Sequence, residues 1–230
     1  MEHGEPAPPA PRRALTLRRR ELAVLAGMLV VLGVLLGLLL HRSASVQGPA
    51  GTATAQSAIY SGAPLTRAEA VPPLALRNYL GTPVDIRSYR GKAVLVTFIY
   101  THCPDVCPLI VSHLHTALTQ MPAAERRRLQ IIAVSVDPRG DTPATVSRFV
   151  TAHEMTGQMQ YLIGSASALR HVWTDWSIAS QAERAAGNPD LVAHSALIYG
   201  ITAHGKVTVV YPANFTSNEI VHDARVLAAA

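Results

Sequence analysis

The only two cysteines of the 230-residue chain fall in one stretch, Thr101-His102-Cys103-Pro104-Asp105-Val106-Cys107-Pro108. It follows the continuous β-branched and aromatic run Ala93–Tyr100 and precedes a helix expected over Pro108–Gln120. The C-terminal end of a central strand, feeding a helix N-terminus, is where open α/β sheets place their chemistry. Helix-start N–H groups there stabilise a thiolate at Cys103. Four-residue spacing on a helix sets side chains on one face with Cβ atoms about 5–6 Å apart, close enough for two thiolates to grip one metal ion. With modest unwinding the pair can close a disulfide, which needs Cβ atoms about 3.8 Å apart. Three chemistries follow: a structural disulfide, a redox-active pair, or a metal site. The first gains little, because so short a loop removes little chain entropy and a core of this size hardly needs a staple. For zinc, two cysteines are half of a closed structural site. Two soft thiolates with one imidazole suit Cu(I).

The third ligand must then be sought among ten histidines. His3 and His41 lie on or before an apolar N-terminal segment, and His113, His115, His153, His171, His204 and His222 fall on expected helices or turns, where packing or solvation explains them. His102 adjoins Cys103 but would point away from it in extended chain. His194 stands apart because it opens the apolar strand Val192–Tyr199, where a polar ring requires a hydrogen-bond or ligand partner. Both readings of His194 are open on these grounds. Asp105, between the cysteines, reads as a solvated residue favoured by the helix dipole rather than a ligand.

The elements that must position these residues alternate between strand and helix. Leu74–Arg77 and Val84–Ile86 flank Gly81-Thr82-Pro83 as a hairpin. After the cysteine helix come a strand over Ile131–Val136, the breaker Asp137-Pro138-Arg139-Gly140, and a helix with Pro143 in its first turn and Asp141 or Thr142 as its cap. Tyr161–Ile163 is a short strand, Ser165 opens a helix carrying Trp173 and Trp176, Val192–Thr202 and Val207–Tyr211 form a hairpin, and Thr216-x-x-Glu219 is a capping box for the last helix. This order predicts an α/β sandwich without internal repeats.

Composition adds topology. The formal charge is +5, and charged residues make up 15 % of the chain, against about a quarter in ordinary soluble proteins. Leu22–Leu40 is an uncharged, proline-free run, long enough as a helix of about 29 Å to cross a bilayer core. Arg12, Arg13 and Arg18–Arg20 precede it and only His41-Arg42 follow, so the positive-inside rule sends the remainder across the membrane. The run is longer than a cleavable signal core, and Arg42 follows it immediately, which favours an uncleaved anchor. Residues 43–58, rich in Ala, Ser, Thr, Gly and Pro, read as a flexible tether. The expected organisation is therefore a cytoplasmic tail (1–21), a transmembrane signal anchor (22–40), a linker (41–73) and an exported domain (74–230). Nucleic-acid binding is excluded as a function class: the basic triplet Arg126–Arg128 lacks interleaved aromatics.

At the cysteine stretch the chain resembles the Sco/SenC copper-binding proteins of cytochrome c oxidase assembly. The resemblance rests on the single N-terminal anchor, Gly91-Lys92 before Ala93–Tyr100, Tyr100-Thr101-x-Cys103-Pro104-Asp105-Val106-Cys107-Pro108, Val134-Ser135-Val136-Asp137-Pro138 with Asp141-Thr142-Pro143, and His194-Ser195. It covers about residues 74–228. It implies a thioredoxin-like α/β sandwich with an added β-hairpin, and copper, as Cu(I) or Cu(II), held by Cys103, Cys107 and His194. It further implies a metallochaperone that loads the dinuclear copper centre of cytochrome c oxidase subunit II, anchored in a bacterial inner membrane with the domain in the periplasm. The competing expectation is a thiol–disulfide oxidoreductase that uses the Cys103–Cys107 pair to reduce the cysteines of that copper site, with other periplasmic copper chaperones or thiol reductases as further partners. Where many members of the family carry Asp before the histidine, this chain has Ala193.

Overall fold

In the computed structural model the chain divides into two units, Met1–Ala50 and Gly51–Ala230. The residues described are 59–178 and 196–230, together with Met28, Leu32 and Gly33, which are helical. Most of the anchor expected over Leu22–Leu40, the tether 43–58 and His194 with its neighbours lie outside the described residues. Among the described residues, no helix is long and apolar enough to cross a membrane.

The second unit is built on one eight-stranded sheet. Its strands are β1 (Ala63–Ala70), β2 (Ala75–Asn78), β3 (Pro83–Asp85), β4 (Ala93–Ile99), β5 (Leu129–Ser135), β6 (Met159–Ile163), β7 (Leu197–Ile201) and β8 (Lys206–Pro212). Their spatial order is β1-β8-β7-β4-β5-β6-β2-β3. The helices are α1 (Val106–Gln120), α2 (Ala123–Arg126), α3 (Pro143–Ala152), α4 (Ala166–Asp175) and α5 (Ser217–Ala229), with a 3₁₀ turn over Ile86–Tyr89. Strands β4, β5 and β6 run parallel, joined by helical crossovers, while β7 is antiparallel to β4 and β8 to β7.

The apolar run Ala93–Ile99 has no polar face to offer solvent, so it occupies the sheet centre, where every residue of β4 is buried. Helix α5 packs on α1 and on β4, and α3 packs on β6. Local chemistry starts the helices where the sequence indicates. Thr142 and Thr145 form a capping box ahead of Pro143, Thr216 and Glu219 form another for α5, and the Ser165 hydroxyl accepts from Ala168 N–H.

Several boundaries move. The domain does not begin at 74: β1, inside the stretch expected to be linker, pairs antiparallel with β8. Its side chains are mostly exposed and show no alternation, so backbone pairing rather than apolar burial holds it. Helix α1 begins at Val106 rather than Pro108, because Asp105 caps it. Thr142, not Asp141, caps α3. Strand β7 begins at Leu197, and the earlier part of the strand expected from Val192 lies outside the described residues. The β2–β3 hairpin is present, its turn closed by Asn78 Oδ1, which accepts from Leu80 N–H (3.0 Å) and Thr82 N–H (2.9 Å). It lies at the sheet edge beside β6.

Candidate metal and thiol centre

Strand β4 ends at Ile99, and Tyr100–Asp105 turn from it into α1. The turn tightens where Cys103 N–H donates to the Tyr100 carbonyl (3.4 Å). The Asp105 carboxylate accepts from Val106 N–H (2.5 Å), satisfying one of the orphan donors of the helix start. Cys103 therefore sits in the turn rather than on the helix. Its Sγ accepts from Cys107 N–H at 3.3 Å, so the sulfur itself caps the first turn. The expected arrangement of two thiols side by side on one helix face is replaced by one thiol at the helix mouth and one within its first turn. The expected helix-start stabilisation of Cys103 is present, from the N–H groups of Cys107 and Asp105.

Both cysteines are free thiols and both are buried, Cys103 at 7 % exposure and Cys107 at 0 %. A hydrogen bond from the Cys107 thiol, reinforced by the N–H groups of Cys107 and Asp105 and by the Tyr100 side chain, outweighs burial and holds Cys103 down to about 6. Cys107 moves the opposite way, pushed far above the ordinary thiol range by the Cys103 sulfur, by burial and by the nearby Asp141 charge. Such a pair has a ready nucleophile and a protonated partner behind it.

A residue with a part in this centre that the sequence reading missed is Asp141. It is 4 % exposed, and its Oδ1 accepts from Thr101 N–H (2.9 Å) and Thr101 Oγ1 (2.7 Å) while its Oδ2 accepts from Ser135 Oγ (2.6 Å) and Tyr161 OH (2.9 Å). Burial pushes its carboxyl up and the four donors pull it back. The signal in the sequence was an acidic residue two positions past the Pro138-Arg139 turn, which a capping role explained too easily. His102 is exposed, its Nδ1 lying 3.2 Å from Thr101 Oγ1 and against the loop at Gly140.

His194 lies outside the described residues, so it is not placed with the cysteines. The described chain resumes at Ala196, and β7 pairs antiparallel with β4 in a register that sets Ile198 opposite Thr97. Thr97 Oγ1 donates to the Leu197 carbonyl at 3.3 Å. The start of β7 is thus at the end of the sheet from which the cysteine turn departs. Among the described residues, no three His, Cys, Asp or Glu side chains come together as a metal-binding group.

A sheet with a parallel core and a buried dithiol where its central strand enters a helix defines a thioredoxin-like protein. The SCO1/SenC family model matches residues 63–229, and the chain belongs to that family. A Bacillus subtilis protein named SCO1 protein homolog is 27 % identical over 67 % of this chain and 81 % of its own length. A Stutzerimonas stutzeri relative is 30 % identical over 46 % of this chain; the match spans 54 % of that relative, about half its length. Among solved structures, apo Sco1 from Thermus thermophilus (29 % identity, TM-score 0.64) is covered over 96 % of its length and matches 73 % of this chain. ScoI from Bradyrhizobium japonicum with copper bound (28 % identity, TM-score 0.59) is covered over 99 % and matches 69 %. BsSco, described with a disulfide switch and as a member of the Sco family of cytochrome c oxidase assembly proteins (25 % identity, TM-score 0.59), is covered over 97 % and matches 73 %.

Proposed function

We propose that the chain is a membrane-anchored copper metallochaperone that holds copper through Cys103, Cys107 and His194 and delivers it to the dinuclear centre of cytochrome c oxidase subunit II. The observation that carries this reading is the buried pair of free thiols at the helix mouth, Cys107 N–H donating to Cys103 Sγ, a soft donor pair of the kind Cu(I) prefers. The copper-bound relative and the family's place in cytochrome c oxidase assembly support the cargo and the acceptor. The antiparallel register of β7 on β4 supports His194, since only Ser195 separates it from Ala196 at that sheet end. Cys103, as a thiolate, needs no proton removed to bind a cation; Cys107 must give up its proton, which couples uptake to proton release. Arg12 to Arg20 and the run Leu22–Leu40 support a single-pass bacterial inner-membrane anchor with the domain in the periplasm.

The disulfide switch described for BsSco favours a second reading with the same two residues. The Cys103 thiolate attacks one sulfur of an acceptor disulfide, forming a mixed disulfide and releasing one acceptor thiolate, which takes the Cys107 proton. Cys107 then attacks Cys103 Sγ, releasing the second thiolate and leaving a Cys103–Cys107 disulfide, with two electrons passed to the acceptor. A His194→Ala variant separates the two readings. The chaperone reading predicts that copper stoichiometry and transfer to a subunit II copper domain fall at least tenfold while reduction of a disulfide substrate is unchanged. Copper transfer that survives this substitution contradicts the three-ligand assignment.

A further inference from the structure

We propose that Asp141 is a positioning residue for the thiol pair, fixing the turn that carries Cys103 to the end of β5 and to Tyr161 in the middle of β6. The inference rests on Cys103 and Cys107 being the working residues of this protein.

The two carboxylate oxygens face different partners. Oδ1 holds Thr101, two residues before Cys103, through both its N–H (2.9 Å) and its hydroxyl (2.7 Å). Oδ2 holds Ser135 at the end of β5 (2.6 Å) and Tyr161 of β6 (2.9 Å). These anchors are themselves fixed: the Ser135 hydroxyl also accepts from Asp137 N–H (3.1 Å), the Ser135 carbonyl accepts from Trp173 Nε1 (3.0 Å), and Tyr161 OH also reaches the Ile99 carbonyl (3.3 Å). Four donors match the acceptor capacity of an ionised carboxylate. Among the described residues, Asp141 forms no ion pair with a cationic side chain, so a nearly buried acid is held by hydrogen bonds alone. A helix cap needs no such burial, and Thr142 already supplies it. What the carboxylate does instead is tie a loop to a rigid sheet, and that loop places the Cys103 sulfur against Cys107 N–H.

The test is the rate at which iodoacetamide alkylates Cys103 at pH 7 in the reduced, folded chain, resolved by mass spectrometry, with fold and stability followed by urea denaturation. In Asp141→Ala, Cys103 loses its fixed position against Cys107 N–H, and its alkylation slows at least fivefold. Thr101→Val, which removes only the hydroxyl link, slows it less. Asp141→Asn restores the rate to within twofold of the parent chain, because its amide oxygen still accepts from Thr101 and the two hydroxyls can turn to accept from its NH₂. A purely structural role would lower the denaturation midpoint of Asp141→Ala and leave the Cys103 rate in the folded chain unchanged, which overturns the proposal. An Asp141→Asn rate as slow as that of Asp141→Ala also overturns it, since charge rather than positioning would then be at work. Should Asp141→Ala not fold, an unchanged rate in Thr101→Val decides against it. Copper retained by a Cys103→Ala/Cys107→Ala chain would sink the metallochaperone reading while leaving these rates interpretable.

Discussion

Cys103 gains its acidity first from the Cys107 thiol, which hydrogen-bonds to its sulfur, and then from the first-turn N–H groups that cap it. Its folded value, about 6, lies below the ordinary thiol value of 9.0, so the ionised form is favoured by folding. The stabilisation is therefore complete above the unfolded value and lost as the pH falls through about 6. Alkylation of Cys103 is accordingly expected to rise with a midpoint near pH 6, and a Cys107→Ser chain to shift that midpoint upward, because a serine hydroxyl is a poorer match for the thiolate; site-resolved labelling across pH 4–9 measures both. The pairing of Cys103 with Cys107 was legible in the sequence from spacing alone, as was a helix after them, though not its start at Val106. The sulfur-capped geometry was not, because it depends on Asp105 starting the helix at Val106 and leaving Cys103 in the turn. Asp141 was misread for the opposite reason: a local role sufficed to explain it, and two of its partners, Thr101 before α1 and Tyr161 on β6, are distant in the chain.

The strands differ in how they are held. Buried β4 announces itself as a continuous apolar run, and the capping box Thr216-x-x-Glu219 marks α5 in four letters. Strand β1 has neither signal. It is held by pairing with β8 and by a clasp just before it, where Asp223 of α5, fully buried, accepts from Ser61 N–H (2.8 Å), Gly62 N–H (2.9 Å) and Tyr211 OH (2.9 Å). No pattern over residues 61–70 could reveal a partner more than 160 residues away. Asp223→Ala leaves these three donors without their acceptor, removes the partner of His222 Nδ1 (2.7 Å), and is expected to lower unfolding stability by about 3 kcal/mol, read from urea denaturation. Gly62 fits closely under Tyr211: a Cβ there would come 2.3 Å from Tyr211 Cε1. Gly62→Ala should therefore cost about 1–3 kcal/mol unless the ring moves.

At the scale of the molecule, the family match from residue 63 and the pairing of β1 with β8 define where the folded unit begins. A chain of residues 59–230 is expected to unfold cooperatively, whereas one starting at 74, the boundary expected from the sequence, lacks β1 and the Asp223 clasp. Calorimetry should show the shorter chain melting several degrees lower. The sequence indicated an α/β sandwich because its strand and helix signals alternate, and the thioredoxin-like arrangement followed from the resemblance; the edge strand escaped because pairing, not composition, makes it. The central claim is that the two thiols hold the copper. Titrating the reduced domain with Cu(I) against a competing chelator, parent beside Cys103→Ala/Cys107→Ala, tests it most directly. One tight equivalent is expected in the parent and none in the double variant; one tight equivalent retained without the cysteines would rule out Cys103 and Cys107 as the copper ligands.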